Sequence, residues 1–358
     1  MPYLREAWYL AAWAEEIKPG ELFHRTLLDE PVVFYRLRSG AIAALHDRCP
    51  HRFVPLHLGK LENDIIQCAY HGLQFDCSGK CVHNPHGSSK AAATRPYAVV
   101  ERDGLVWIWM GESAEAKLEL VPDFSHMSGL PETAGSQGYL WTECNYKLVA
   151  DNVMDLSHAD FLHADSVGGG AFTAARQHVE EMGDAVHITW ECRHDKAPPI
   201  YDQFLAVPGQ PVQFRTEVRW RAPGIMNLDI TITPCGGGPL QALQTHNAHI
   251  VTPETATTTH YFFWLTRQFH MEDAQINAHR HTAMMRAFST EDKPMLCEQQ
   301  RAMGTDDLFS LRPVLLPSDA GAVRARRKLE QRIRDEQAAK ASRPNIEAAQ
   351  RPTTQTAT

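Results

Sequence analysis

A chain of 358 residues, 43% hydrophobic and 22% charged, has the make-up of a soluble globular protein long enough for two domains. A net charge of −8 and a pI of about 6.2 exclude the basic footprint of a nucleic-acid or anionic-membrane binder. No apolar run reaches the roughly eighteen residues of a membrane span, and the opening MPYLREAWYLAAWAEEIKPG shows neither a basic leader nor a small-residue cleavage site, so a cytoplasmic protein is expected.

From Glu21 to Leu45 the chain reads as short strands, with β-branched and aromatic runs broken by Asp-Glu-Pro and Arg-Ser-Gly. The same texture continues through IIQCAYHGLQFDCSGKCV to a further hairpin at Val99–Gly111, so roughly the first 115 residues predict an all-β domain. Four of the eight cysteines fall inside it, between Cys49 and Cys81. Without a secretory context they are thiols or metal ligands rather than a disulfide framework.

Cys49-Pro-His51 is followed after sixteen residues by Cys68-Ala-Tyr-His71-Gly, so each of two loops offers one thiolate and one imidazole. Such a pair suits a [2Fe–2S] cluster with Cys49 and Cys68 on one iron and His51 and His71 on the other. Two neutral ligands in place of two thiolates raise the potential, which makes a useful intermediate relay. Structural zinc prefers C-x₂-C or H-x₃₋₅-H spacings, and neither half has one. Cys77 and Cys81 read as spare thiols, and His83 and His86 as surface loop residues.

Pro122 to Gly138, rich in Pro, Gly and Ser, reads as a connector. Asn145–Phe161 has a helical pattern and runs into Asp151–His163, DNVMDLSHADFLH. His158 and His163 are five apart, a spacing that suits a widened or ending helix. Two imidazoles with one carboxylate are the ligand set of a mononuclear non-haem iron that activates O₂. The stretch also carries carboxylates at Asp151, Asp155 and Asp160, and a polar helix face remains the plainer reading of the stretch alone. Five alternating segments follow, Val186–Cys192, Val212–Trp220, Ile225–Thr233, Gln241–Val251 and Thr257–Leu265, and they predict an antiparallel sheet. Met271–Met303 predicts a long helix interrupted or joined at Pro294, and Ala320–Lys340 a solvent-exposed helix. The residues from Ser342 are polar and apolar-poor, which predicts a disordered tail.

Taken together, RCPHRFVPLHLG, CAYHGLQFD, DNVMDLSHADFLH, HIVTPETATTTHYFFW and FSTEDK resemble the Rieske non-haem iron aromatic-ring oxygenases. The likeness runs from AWYLAAW to about Glu336 and is narrowest with the oxygenase components of vanillate O-demethylase, dicamba O-demethylase and toluenesulfonate methyl-monooxygenase. It implies an α+β chain: an all-β Rieske domain over 1–120, a helix-grip catalytic domain of curved antiparallel sheet and long helices over 121–341, and the tail 342–358.

Position by position, the resemblance implies Cys49, His51, Cys68 and His71 as cluster ligands, and His158, His163 and Asp292 as ligands of a mononuclear Fe(II). Composition and spacing left Glu291, Asp155 and Asp160 as equal candidates with Asp292. Asp155 stands where the family has an aspartate linking a Rieske histidine to an iron-ligand histidine across a subunit interface, and Asn152 where it often has an asparagine near the iron. Asn227 and His249 stand at positions that contact an aromatic carboxylate; Phe161, Phe262 and Trp264 are candidate pocket walls whose commoner role is core packing. Phe53 and His57 depart from the Gly and Ser usual in the Rieske loop.

One cluster holds one electron, so a separate flavin/[2Fe–2S] reductase or a ferredoxin is implied, as is a ring-shaped homotrimer that brings the two metal sites of neighbours together. The implied reaction is O₂-dependent O-demethylation of a methoxylated aromatic acid, with hydroxylation of an aryl methyl group or aryl ether cleavage as alternatives. A non-catalytic Rieske electron-transfer protein would need neither the second histidine pair nor some 240 residues beyond the cluster domain.

Overall fold

The computed structural model describes residues 3–89, 92–164, 167–238 and 241–342. The expected tail beyond Ser342 lies outside the described residues.

The N-terminal part is built from ten strands. β1 (Trp8–Trp13), β2 (Phe23–Leu27), β3 (Glu30–Arg36), β4 (Ile42–His46), β9 (Pro96–Arg102) and β10 (Leu105–Trp109) form one antiparallel sheet in the order β1-β10-β9-β4-β3-β2. Between β4 and β9 the chain makes a small second sheet from β5 (Lys60–Glu62), β6 (Ile65–Gln67), β7 (Gln74–Phe75) and β8 (Cys81–His83). Asn63-Asp64 and Asp103-Gly104 make two-residue hairpin turns with positive φ at both positions, as their composition dictates. Leu28-Asp29 adopts the same backbone against its propensity. There Leu28 is fully buried, and the two amides donate to Pro253 O and Glu254 O of the second domain at 2.9 and 2.8 Å.

The C-terminal part is a seven-stranded antiparallel sheet, β11-β17-β16-β15-β14-β13-β12. Its strands are β11 (Gly135–Thr142), β12 (Arg176–Met182), β13 (Ala185–His194), β14 (Val212–Arg221), β15 (Ile225–Pro234), β16 (Leu243–Pro253) and β17 (Thr259–Thr266). Two of these escape the sequence pattern. β11 opens on Gly-Ser-Gln-Gly and takes up the end of the expected connector, while β12 is a polar edge strand. The helices are α1 (Ser125–Ser128), α2 (Tyr146–Met154), α3 (Ala159–Leu162), α4 (Ala171–Ala174), α5 (Pro199–Asp202), α6 (Ala274–Arg286), α7 (Lys293–Met303) and α8 (Ala320–Ser342). None among the described residues is long and apolar enough to cross a membrane.

The sheet is covered on both faces at β17, every residue of which is buried. One face packs against the N-terminal domain, where Trp8, Leu10 and Trp13 meet Ile250, Phe262 and Trp264. Phe262 sits edge-on to Trp13 at 5.8 Å, so Phe262 and Trp264 serve the interdomain core.

The long helix is joined, not broken, at Pro294: α6 passes through a π-helical stretch, Ala287–Asp292, straight into α7, with Pro294 in the first turn of α7. A widened turn accommodates a residue that lacks an N–H and whose ring crowds the preceding turn. The expectation of a solvent-exposed last helix needs correction, because one face of α8 is buried. The helix lays Ala322, Ala325, Leu329 and Ile333 onto the core at helical spacing and buries Arg326, whose Nε donates to Asp151 Oδ2 at 2.7 Å. Near its end Glu336 accepts the backbone N–H groups of Arg5 and Glu6 at 2.8 and 2.9 Å. A buried ion pair adds little net stability, yet breaking it costs several kcal/mol, so α8 fixes where α2 stands.

Candidate metal centres

The first site is made by two turns of the same construction. Cys49 N donates to Val54 O and Phe53 N to Cys49 O, at 2.9 and 2.8 Å; Cys68 N donates to Leu73 O and Gly72 N to Cys68 O, at 2.8 and 3.1 Å. The residue four past each cysteine has positive φ, 63° at Phe53 and 72° at Gly72. Glycine takes that backbone freely, whereas a bulky residue is strained by about 1–3 kcal/mol. Arg48 lies 4.0 Å over the Phe53 ring and offsets part of that strain. His57 is equally well used: its backbone N–H donates to Asp47 Oδ1 at 2.8 Å, its ring pairs with Asp47 Oδ2, and it stacks on His24 at 3.7 Å.

The turns bring the His51 and His71 rings to 4.4 Å and bury both thiols in one apolar cluster with Leu56, Ile66 and Phe75. Burial pushes the Cys49 thiol up to about 11, against the pull of the His51 backbone N–H, and the adjacent Cys68 thiol adds to the rise. His71 Nδ1 is buried and has no hydrogen-bond partner. Two buried thiols and a buried ring nitrogen with a free lone pair fit an iron–sulfur cluster and little else. Cys77 is exposed and Cys81 is buried with its thiol on His83 O; neither enters the site. His83 and His86 are exposed, and His86 Nε2 reaches His71 O at 3.2 Å.

The second site starts at α2, capped by the Asn145 side chain on Lys147 N at 3.0 Å. The helix ends at Asp155, whose extended backbone breaks it and whose carboxylate caps the next turn through Ser157 N and Ser157 Oγ at 3.0 and 2.7 Å. That break and the short α3 give the five-residue spacing its geometry: His158 and His163 bring their rings to 5.2 Å. The π-helical stretch supplies the carboxylate. His158, His163 and Asp292 each offer a ligand atom, all within 4.8 Å of one another.

His163 Nε2 is 3.1 Å and His158 Nε2 3.4 Å from Asp292 Oδ1, and Asn152 Nδ2 donates to the same oxygen at 3.0 Å. The other ring nitrogens are held from behind, His158 Nδ1 by Asp155 O and His163 Nδ1 by Glu291 Oε2, both at 2.5 Å. With a metal bound, such partners would hold the tautomer that presents each Nε2 lone pair to it. Burial disfavours the Asp292 carboxylate, but hydrogen bonds from His158 and His163 win and hold it down at about 2.

Of the four carboxylates the sequence left open, one therefore enters the triad. Glu291 orients His163 from outside, Asp160 caps Gly170 N and Thr173 N at 2.9 and 2.6 Å, and Asp155 caps a turn. Within the chain it is the Asp155 carbonyl, not its carboxylate, that meets the His158 ring; among the described residues Asp155 Oδ2 has only Ser318 Oγ, at 3.3 Å.

A cavity opens from the triad between α2, α6 and the inner face of the sheet, enclosing about 750 Å³ of empty space, solvent at its mouth included. Leu156, Phe172, Phe214, Leu228, Ile230, Met284 and Phe288 make it chiefly apolar. His249 lines it, with Nδ1 on the Tyr261 hydroxyl at 2.7 Å, and burial pushes its imidazole down to about 4, so it is neutral at pH 7.

Asn227 does not line it. β15 alternates, Leu228 and Ile230 point inward, and Asn227 points to the opposite face, near Phe124 and His187. The asparagine that does face the cavity is Asn247, directly across from Leu228 in the register with β16. Phe161 is exposed on the outer surface. Arg280, also in the wall, carries no signal in the sequence, because an arginine within a helical pattern reads as surface.

The comparisons with known proteins agree with this arrangement. Residues 142–335 match the vanillate O-demethylase oxygenase C-terminal domain, and residues 7–98 match the Rieske [2Fe-2S] domain. The chain is 36% identical over 334 residues to the oxygenase component of dicamba O-demethylase from Stenotrophomonas maltophilia, covering 92% of this chain and 98% of that one. It is 33% identical over 347 residues to the iron-sulfur subunit TsaM1 of the toluene-4-sulfonate monooxygenase system from Comamonas testosteroni, covering 93% and 98%. A crystal structure of dicamba monooxygenase bound to dicamba superposes with a TM-score of 0.86 at 35% identity, over 94% of this chain and 99% of that chain.

Proposed function

The chain belongs to the Rieske non-haem iron oxygenases of the vanillate and dicamba O-demethylase group, and from that premise we propose that it demethylates a methoxylated aromatic acid. It is the terminal oxygenase component of a multicomponent oxidoreductase with two metal groups, a Rieske [2Fe–2S] cluster and a mononuclear non-haem iron, and it takes electrons from a reductase or ferredoxin. The observation that carries the substrate reading is an apolar cavity with few polar groups ending on the His158/His163/Asp292 triad.

In this reading Cys49 and Cys68 hold one iron of the cluster and His51 and His71 the other, while His158, His163 and Asp292 hold the mononuclear iron. When bound, the mononuclear iron would supply O₂ activation, with electrons relayed through the cluster. Asn152 steadies the carboxylate of Asp292, and Glu291 and the Asp155 carbonyl steady the two rings. Phe214, Leu228, Ile230 and Phe288 grip the aromatic ring and keep water from the oxidised carbon; neutral His249 meets a polar substituent.

The balance is one methoxyarene, one O₂, two electrons and two protons to one phenol, one formaldehyde and one water. The hemiacetal formed by hydroxylating the methyl carbon loses its C–O bond without further help. Hydroxylation of an aryl methyl group is the second reading, favoured by the likeness to TsaM1.

Single-turnover oxidation by the reduced holoenzyme, with O₂ uptake and formaldehyde followed together over methoxy- and methyl-substituted aromatic acids, tests both. Formaldehyde released in step with O₂ is the expected result. O₂ uptake with a hydroxymethyl product and no formaldehyde selects the second reading, and no substrate-dependent uptake sinks both.

The working unit is a cytoplasmic homotrimer. Cys49 and Cys68 lie in one hydrophobic cluster and the apolar residues around the triad, Val153, Leu156 and Ala159, in another, and the cluster loops expose Phe53, Leu58 and Tyr70. Asp155 Oδ2, loosely held within the chain, then accepts from a cluster histidine of a neighbour. Asp155→Asn is expected to retain both metals and the trimer yet slow turnover by about 10–100-fold or more, the scale on which partners of metal ligands act. Wild-type turnover in that variant removes the bridging role.

A further inference from the structure

Arg280 is 3% exposed, lines the cavity, and leaves Nε and Nη1 buried without a hydrogen-bond partner. No acidic side chain among the described residues pairs with it. The carboxylate in the same cavity, Asp292, is committed to His158, His163 and Asn152. A second guanidinium, Arg267, is buried beside it, held below its ordinary range by burial and by the charge of Arg280, and it spends its own donors on Thr133 O, His270 O and Asp273 O.

A guanidinium stays charged at any relevant pH, and burying it unpaired costs several kcal/mol. Its planar fork matches a planar oxyanion through two parallel N–H···O bonds. We infer that Arg280 anchors the oxyanion of the aromatic substrate at the end of the cavity remote from the metal triad. This inference deepens the proposed function and rests on it for the identity of the site.

The placement follows from one helix. Arg280, Met284, Phe288 and Asp292 recur every four residues along α6 and its π-helical extension and all line the cavity. Twelve residues separate the first from the last, on the order of 15–18 Å along the axis. Side chains close part of that distance from each end, with Met284 and Phe288 between them as the floor for the ring. The anion and the oxidised carbon therefore sit at opposite ends of the substrate, which selects a para over an ortho arrangement. Asn247 adds an acceptor to the wall, since its Oδ1 is buried without a partner, and it suits a hydroxyl on the ring.

Calorimetric titration of the resting holoenzyme with 4-methoxybenzoate, 4-methoxybenzamide and toluene-4-sulfonate tests the anchor. The wild type is expected to bind the benzoate about 100-fold or more tightly over the isosteric amide, the scale of a buried charge-assisted pair. Arg280→Gln should erase that preference, and Arg280→Lys should restore part of it. The lysine variant also guards against a glutamine variant that fails to fold, with cluster absorption and iron content as the check. Equal wild-type binding of acid and amide, or a preference that survives in Arg280→Gln, overturns the inference. Sulfonate bound as tightly as the benzoate widens the anchor to oxyanions; sulfonate bound as weakly as the amide narrows it to carboxylates, and both support it. Turnover of 2-methoxybenzoate ahead of the 4-isomer overturns the end-to-end placement. Arg280-dependent anion binding without O₂-dependent oxidation leaves the anchor standing and sinks the demethylase reading; demethylation of neutral ethers alone does the reverse.

Discussion

Asp292→Ala is expected to give a red, folded and inactive protein. The cluster ligands lie in another domain and keep their own surroundings, so the cluster absorption stays. At the second site two imidazoles remain, the shared acceptor of Asn152 and His163 is gone, and the mononuclear iron is lost. Turnover falls by about a thousandfold or more, because residues that act as one unit fail together. Glu291→Gln is the informative contrast: it keeps all three ligands but weakens the hold on His163 Nδ1, so iron affinity falls by about 10–100-fold instead of vanishing. Metal analysis per chain with the visible spectrum reads both variants. Full iron content in Asp292→Ala, or complete loss in Glu291→Gln alone, would reverse the roles of these neighbours.

Cys68→Ala should be colourless. Its thiol is buried beside that of Cys49 in the apolar cluster of the small sheet, and burial keeps the Cys49 thiol protonated until a metal displaces the proton. Cluster binding is also folding energy for the two turns, so the N-terminal domain should melt at lower temperature while the second site retains iron. Cys77→Ala, an exposed position two residues past β7, should keep its colour. A coloured Cys68→Ala protein would show that the ligand assignment is wrong.

The cluster turns were legible because their geometry is local. In each turn the cysteine, the histidine and the residue of positive φ that follows, Phe53 or Gly72, lie within five residues. The histidine pair was legible for the same reason, together with the helix break that its spacing required. Asp292 was not. It stands 129 residues after His163, its neighbour Glu291 has the same chemistry, and a π-helical stretch decides which of the two turns inward. Without the resemblance the choice was open.

The two asparagines show a different limit. Side chains along a strand alternate, and one residue of slip exchanges the faces. On β15 both faces are covered, one by the cavity and the other by the segment around Phe124, so polarity does not say which face is which. The resemblance pointed to Asn227, whereas Asn247 is the asparagine of the sheet that faces the cavity. Leu28, forced into a hairpin turn by contacts with the second domain, and Arg280, a helical arginine that reads as surface and is buried, are of the same kind.

The sequence by itself pointed to an N-terminal and a C-terminal part, two metal chemistries and the six thiols and imidazoles proposed as ligands, because thiols and imidazoles at short spacing have few alternative uses. The resemblance named Asp292 as the third member of the triad, and only the tertiary structure decided which asparagine meets the cavity and that an arginine without an acidic partner among the described residues lies within it. Those outcomes depend on which faces of distant elements are pressed together, and that is settled by packing across the whole chain.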